Sequence, residues 1–243
     1  MLAADVRRPA RVQTPEERAG ERVGHDFGRL AVHAQLMRQT AEETTATPQP
    51  AVTLAAAEPA KAAPKETAKQ NLKTYEGTIT FMYQDSVGQV TVGVGHLLSN
   101  AAAAQALSFQ TAEGKAATAE QIKTDFDAVA KAPGKMVASK YKKYASLSLS
   151  EADIDQLLTA DVDAFEGQLK SSFPAYDSYP TDVQLGLLDM IFNLGQNGLI
   201  TKFPSFVKAV KAKNWSDAAK ESNRPQLGSA RNAYVKSLFQ NAK

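Results

Sequence analysis

The sequence predicts an α+β protein in which helix predominates, with a small β-hairpin ahead of an all-helical C-terminal region. Two patterns support this fold class. Apolar and polar residues alternate on both sides of a glycine-containing turn within residues 81–94, which is typical of a hairpin. From residue 150 onward, apolar residues recur at helical spacing in several segments, some of which begin with a capping residue or a proline.

Residues 1–65 are predicted to form a disordered leader that ends in a linker rich in alanine and proline. Phe27 is the only aromatic residue in this segment, which therefore buries too little apolar surface to offset the entropy of ordering it. Within this segment, residues 18–33 have a less repetitive and more specific sequence than the rest. They fit either a disordered tail with a transient helix or an address segment that docks on a partner.

The composition fits a globular protein and restricts its partners. The chain has 243 residues, of which 43% are hydrophobic and 22% are charged, enough for one or two domains with a substantial core. A net charge of +2 is too small to indicate nucleic acid, but it is compatible with an anionic polymer such as a cell wall. The absence of cysteine excludes disulfides, and the three histidines are scattered along the chain, so no metal and no other cofactor is predicted.

No targeting or membrane segment is predicted. Residues 1–8 have no apolar stretch after their charges, and no run of about 18 apolar residues follows anywhere in the chain. We therefore expect a protein that is made in the cytoplasm without a signal peptide. If its substrate lies outside the cytoplasm, release or injection must bring the protein there.

The first structured element is predicted to be a helix over residues 66–76, which Gly77 ends as a C-terminal glycine. The hairpin strands follow around a turn at residues 86–88. Residues 99–149 are predicted to be helical, with a capping box at residues 118–121 and a break at residues 133–134.

The C-terminal region is predicted to be a helical bundle. Ser150 caps its first helix, and residues 181–184 read as a second capping box after Pro180. The helix that follows is apolar nearly all round, so we expect it at the centre of the bundle, ending at Gly195. The last helices are predicted from residue 203, over residues 215–221 and over residues 230–239.

Two acidic residues and a threonine near the hairpin suit glycoside hydrolysis, which needs an acid for the leaving oxygen and a second group at the anomeric carbon. Glu76 lies at a helix C-terminus, where the dipole and apolar neighbours favour the protonated acid. Asp85, beside the turn, is expected to be more exposed and ionised, and Thr91 lies across the hairpin within reach of a shared water. Taken alone, these residues also fit ordinary solvated surface groups.

The spacing of these three residues resembles a known family. Eight residues separate Glu76 from Asp85, five separate Asp85 from Thr91, and Gly93-Val94-Gly95-His96-Leu97-Leu98 follows. This pattern resembles the Glu/Asp/Thr motif of phage T4-type lysozymes, glycoside hydrolase family 24. The resemblance covers roughly residues 65–243 and continues in five later segments: Asp161-Val162-Asp163-Ala164, Tyr176-Asp177-Ser178, Met190-Ile191-Phe192-Asn193-Leu194-Gly195, Asn214-Trp215-Ser216-Asp217-Ala218-Ala219, and Arg231 to Phe239.

The resemblance implies a lysozyme-like two-lobed fold and a role for each matched residue. Glu76 is the general acid, Asp85 is the carboxylate below the sugar, and Thr91 helps to position the attacking water of an inverting reaction. His96 pairs with Asp161 as a structural tether, and Arg231 pairs with Glu76. The residues expected to line the glycan cleft are Leu97, Phe192 and Asn193, although a core position for Phe192 and a packing role for Trp215 are also consistent with the pattern.

The sequence departs from the family at residues 99–149, which are longer, and near residues 222–225, which lack an expected aromatic side chain. The longer segment could reshape the cleft, cover it or bind a partner. A muramidase acting on peptidoglycan strands is predicted, as a phage-type endolysin or an injected antibacterial effector. The alternative is a catalytically inactive glycan-binding or structural module of a phage-like particle.

A partner for the leader is also predicted. Residues 18–33 resemble the opening of a peptidase-like domain in cargo of extracellular contractile injection systems, but no His-Glu-x-x-His motif follows to indicate a zinc peptidase. We therefore expect residues 1–65 to engage such a system or a phage-like particle. An injected effector would in addition require an immunity protein.

Overall fold

A computed structural model describes residues 64–243 of the protein. Most of the predicted leader, residues 1–63, lies outside the described part. Helix α1 spans Pro64–Glu76, so the helix begins two residues before its predicted start. Proline is favoured in the first turn of a helix because its missing N–H would have no intrahelical partner there. Lys65 therefore lies in α1, where its Nζ is 2.6 Å from Asp163 Oδ1, and the division of the chain into a leader over residues 1–65 and a domain over residues 66–243 stays a prediction.

A three-stranded antiparallel sheet follows α1. Strands β1 (Ile79–Gln84), β2 (Val90–Gly93) and β3 (His96–Leu97) lie in the order β1-β2-β3. The predicted hairpin is confirmed, with Tyr83 opposite Thr91. Strand β3 was not predicted, because two residues are too few to show an alternating pattern.

Residues 99–149 form the cover of this sheet. They contain α2 (Ala101–Gln105), α3 (Ala119–Lys131) and a 3₁₀ helix over Ala138–Lys143. The predicted capping box is present: Thr118 Oγ1 accepts from Gln121 N, and Gln121 Oε1 accepts from Thr118 N. Both α3 and the 3₁₀ helix pack on β1, so this longer segment supplies part of the core around the sheet.

The C-terminal region is the expected helical bundle. Its elements are α4 (Glu151–Ser172), a 3₁₀ helix (Tyr176–Ser178), α5 (Thr181–Lys202), α6 (Pro204–Lys211), α7 (Trp215–Glu221) and α8 (Ser229–Asn241). Helix α5 is central, as its all-round apolar pattern predicts, because α1, α4, α6 and α8 all pack against it. The predicted fold class, α+β with helix predominating and lysozyme-like, is confirmed.

Two local predictions in α5 are wrong. Gly195 does not end the helix: its φ of 65° and ψ of 164° make a kink, and helix continues on the far side to Lys202. No capping box forms at the start, where Pro180 is the N-cap residue and provides no side-chain cap. Gln184 instead reaches back to the preceding turn, where its Nε2 donates to Tyr179 O at 3.1 Å.

Within residues 64–243, no helix is both long enough and apolar enough to cross a membrane.

Candidate active site

Glu76 is the last residue of α1 and lies where the sheet, α1 and α8 meet. The helix ends there because Gly77 adopts a φ of 75°, a left-handed conformation that favours glycine. The Glu76 side chain is only 3% exposed. Arg231 Nη1 donates a hydrogen bond to Glu76 Oε1, whereas Oε2 has no hydrogen-bond partner among the described residues. The predicted contact between Arg231 and Glu76 is therefore present.

Arg231 belongs to a larger buried network that the sequence did not predict. Its Nε is 3.2 Å and 3.1 Å from the two carboxylate oxygens of Asp189. Arg224 binds the same residue, through Nη2 to Asp189 Oδ1 at 2.7 Å and through Nη1 to the Asp189 carbonyl at 3.1 Å. Glu76, Arg231, Asp189 and Arg224 thus alternate in charge, which is how buried ions satisfy one another.

The electrostatics of the two arginines differ. Burial lowers the pKa of the Arg224 guanidinium, and the charge of Asp189 only partly opposes this. Burial also acts to lower the pKa of Arg231, but the charges of Asp189 and Glu76 outweigh burial, and this pKa is raised. Arg231 further lies over the Tyr75 ring, with its Cζ 5.4 Å from the ring centroid. Arg231 is therefore firmly held as a cation beside Glu76.

Asp85 is not exposed as predicted: its relative exposure is 2%. Its Oδ1 accepts hydrogen bonds from the backbone N–H groups of Val87 at 2.9 Å and Gln89 at 2.8 Å, so the carboxylate caps the hairpin turn. Tyr141, from the segment that covers the sheet, lies close by. Burial, followed by the nearby charge of Asp85, raises the pKa of Tyr141. The longer segment at residues 99–149 therefore lies close to Asp85.

Thr91 is buried on β2, and its Oγ1 donates to the Tyr83 carbonyl at 3.2 Å. The Thr91 hydroxyl also contacts the phenol of Tyr83, which no motif in the sequence indicated. Burial raises the pKa of Tyr83, and the charges of Glu76 and Asp85 act in the same direction. A neutral phenol therefore lies near both acids.

His96 and Asp161 form the predicted pair. His96 Nδ1 is 3.0 Å from each oxygen of Asp161, and the contact joins β3 to α4. Both side chains are about a quarter exposed, at 26% and 24%.

The predicted cleft-lining residues differ in position. Leu97 is half-buried on β3. Phe192 is 3% exposed and packs on Phe165 with ring centroids 5.5 Å apart, a contact that fits the core alternative, and its place in the glycan cleft stays a prediction. Asn193 is fully buried, and neither polar atom of its amide has a hydrogen-bond partner in the described part of the chain. Trp215 packs edge-on against Tyr179, in agreement with a packing role.

Within residues 64–243, no group of three His, Asp or Glu side chains is arranged to hold a metal ion.

Comparison with known proteins agrees with the fold class. The chain is 28% identical over 155 residues to Probable T4-type lysozyme 1 of Dictyostelium discoideum, covering 63% of this chain and 79% of the relative. The chain is similar to T4-type lysozymes. A second relative, Probable T4-type lysozyme 2 of the same organism, is 26% identical over 157 residues with the same coverage. No family model matches the chain.

These two similarities support a T4-lysozyme-like family and a glycoside hydrolase activity for the chain. They do not extend to contractile injection cargo. That resemblance rests on residues 18–33, outside the described part, and stays a prediction.

Proposed function

We propose that the chain is a muramidase that hydrolyses the β-1,4 bond between N-acetylmuramic acid and N-acetylglucosamine in peptidoglycan. One observation carries this proposal: Arg231 holds one oxygen of the buried Glu76 carboxyl group, and the other oxygen has no partner within residues 64–243. That second oxygen is available to protonate a leaving group. The similarity to T4-type lysozymes supports the same reaction class.

In this mechanism Glu76 donates its proton from Oε2 to the glycosidic oxygen as the bond breaks. Arg231 orients the carboxyl group through Oε1. Arg231 also binds Asp189, at 3.1 Å, so its charge is shared between the two carboxyl groups.

Asp85 is proposed as the base on the opposite face of the sugar, where it accepts a proton from the attacking water. Thr91 positions that water, and attack from the face opposite the leaving group inverts the anomeric carbon. The backbone N–H groups of Val87 and Gln89 stabilise the ionised form of Asp85, as this role requires.

Substrate entry requires an opening movement. Glu76, Asp85 and Thr91 are each at most 3% exposed, so a glycan strand cannot reach them in the closed arrangement described here. We infer that the sheet with its cover moves away from the helical bundle before the strand binds. Movements of this kind commonly occur on microsecond to millisecond timescales.

The same burial favours a second candidate function, a glycan-binding or structural module without catalysis. In that case Asp85 serves only to cap the hairpin turn, and the buried polar network serves only to join α1, α5 and α8. Turnover of a purified substrate distinguishes the two functions, because a binding module releases no soluble fragments.

The test is digestion of purified peptidoglycan by the full chain, with release of soluble fragments and new reducing ends as readouts. Glu76→Gln is expected to reduce turnover by at least about a thousandfold, since no other described group replaces the acid. Glu221→Gln is the matched control, because Glu221 is also the last residue of a helix but is exposed. No digestion by the wild type, or substantial turnover by Glu76→Gln, would sink the proposal.

The biological setting, a phage-type endolysin or an injected effector, is proposed only from the sequence. Deleting residues 1–63 should leave wall digestion in vitro intact and impair delivery in either setting.

A further inference from the structure

A short surface segment carries a concentrated positive charge. Residues 131–143, called here the lysine segment, contain no acidic residue and five lysines: Lys131, Lys135, Lys140, Lys142 and Lys143. All five side chains are exposed. The whole chain has a net charge of +2, so the remaining residues together carry −3. The positive charge is therefore local rather than a property of the whole surface.

None of these lysines forms an ion pair in the part of the chain that the structure describes, although Lys131 lies near enough to Asp127 to interact with its charge. The lysine ion pairs found there involve other residues: Lys65, Lys69, Lys73, Lys123, Lys170 and Lys220. Within the segment, Lys142 lies 6.0 Å from the centroid of the Phe81 ring and Lys143 lies 4.9 Å from that of Tyr144. Like charges this close in sequence repel one another, and an anionic ligand would relieve that repulsion.

The lysine segment is anchored to the strand that leads into the candidate active site. Gln84, the residue before Asp85, donates from Nε2 to the carbonyls of Val129 at 2.6 Å and Ala132 at 3.0 Å. The buried Tyr141 donates from its hydroxyl to Pro133 O at 2.9 Å. The five ammonium groups are therefore displayed from a backbone that is fixed beside Asp85.

The side chains of the lysine segment argue against nucleic acid and against a lipid surface as its ligand. Its only aromatic residue, Tyr141, is 0% exposed, and the neighbouring rings of Phe81 and Tyr144 are partly buried and lie under Lys142 and Lys143, so the segment itself offers no exposed ring for stacking nucleic acid bases. The only large hydrophobic residue that is exposed within residues 64–243 is Val87, outside the segment, so no apolar face is available to enter a lipid surface. A polymer with separated anionic groups fits better, because lysine ammonium groups act as mobile point charges.

We propose that the lysine segment binds the carboxylate groups of the peptides attached to the same glycan strand that enters the neighbouring active site. This inference rests on the proposed muramidase function. The sugar backbone of that strand is largely uncharged, whereas its attached peptides end in free carboxylates. A cationic surface next to Asp85 would hold the strand as successive bonds are cleaved.

The experiment measures binding of the full chain to purified peptidoglycan freed of attached phosphate polymers. All proteins carry Glu76→Gln, so that the probe is not digested. A variant with Lys135, Lys140, Lys142 and Lys143 changed to Gln is expected to bind about tenfold more weakly at low salt, with a flatter salt dependence. The matched control changes Lys202, Lys208, Lys211 and Lys236 to Gln. It loses the same charge elsewhere on the surface and is expected to bind normally.

A second probe identifies the anionic group. The parent protein should bind peptidoglycan with amidated carboxyl groups about tenfold more weakly than untreated peptidoglycan. The four-lysine variant should bind the amidated and the untreated peptidoglycan equally. Lys135→Gly provides a variant that keeps the fold, because Lys135 has a φ of 62° that glycine accepts without strain, and it should weaken binding in part.

Equal binding by the parent protein and the four-lysine variant would overturn the inference. So would equal binding of the parent protein to amidated and untreated peptidoglycan. If the parent protein binds only to walls that keep their phosphate polymers, the ligand of the lysine segment is a phosphodiester and not a peptide carboxylate, and the inference is overturned. These results are independent of the proposed function, which is tested separately by digestion with the wild-type Glu76 protein.

Discussion

Asp189 and Arg224 form a buried ion pair 35 positions apart in the chain, with Arg224 Nη2 2.7 Å from Asp189 Oδ1. Arg224 is 0% exposed and Asp189 is 5% exposed. Because Asp189 also binds Arg231, and Arg231 binds Glu76, the pair supports the candidate general acid from the far side of α5. The loop before α8 is thereby tied to the centre of the bundle.

Asp189→Asn should destabilise the protein strongly, because it leaves two buried arginines facing one neutral amide. Breaking a buried ion pair by removing one partner costs about 3–5 kcal/mol, and urea unfolding measures this loss. Asp217→Asn is the control, since Asp217 pairs with Lys220 at 2.7 Å on the exposed surface. Its urea midpoint should match that of the wild type. A wild-type midpoint for Asp189→Asn would show that the network contributes little to stability.

Asp155 should give the stability of the protein a local dependence on acid pH. Hydrogen bonds from Lys73, at 2.7 Å, and from Lys69, at 3.0 Å, lower the pKa of this carboxyl group and join α1 to α4. A lowered pKa in the folded state stabilises the protein above the unfolded value of about 4, and the contribution is lost as pH falls through the folded pKa.

Asp155→Asn should therefore lower the urea midpoint at pH 7, and the difference from wild type should disappear near pH 2. Glu120→Gln is the control, an exposed acid without an ion pair in residues 64–243, and should follow the wild-type curve throughout. A difference for Asp155→Asn that persists undiminished at pH 2 would contradict an ionic origin.

Local patterns predicted much of the fold but little of the network. The C-terminal glycine at Gly77, the capping box at Thr118 and the hairpin turn each depend on neighbours within a few residues, so the sequence displays them directly. A lone acid in an apolar helix was the one available signal for Asp189. Arg224 gave no signal, because its partner lies 35 positions away and only the tertiary fold brings the loop before α8 against α5.

The environment of Asp85 could not be predicted for a similar reason. Residues 99–149 contact the end of strand β1 next to Asp85, and that contact is tertiary. The side chains of Gln84 and Tyr141 make that contact at 3.4 Å, although 57 positions separate them.

Asp161→Asn should affect stability more than chemistry. The pair of Asp161 with His96 joins β3 to α4 and is partly buried, so losing its charge should lower the melting temperature by about 2–4 °C for a loss near 1 kcal/mol. The rate of peptidoglycan digestion measured well below melting should change less than about threefold. A large loss of rate at unchanged melting temperature would place the pair in the reaction itself. Asp163→Asn on α4 is the control, because it removes an ion pair with Lys65 that is exposed to solvent and should contribute little to stability.

Two glycines in helix interiors should respond oppositely to alanine. A Cβ at Gly186 in α5 would lie 2.7 Å from the Cε2 and Cζ atoms of the Phe239 ring, so α5 and α8 must separate to admit it. Overpacking of this kind costs about 1–3 kcal/mol, more than the ~1 kcal/mol that alanine gains in helix propensity.

A Cβ at Gly167 in α4 meets no atom within 4 Å, so there the gain in helix propensity is not opposed by a clash. Thermal unfolding should show Gly186→Ala melting below the wild type and Gly167→Ala at or above it. If Gly186→Ala has the same melting temperature as Gly167→Ala, then α5 and α8 separate at a lower cost in free energy than the ring contact indicates.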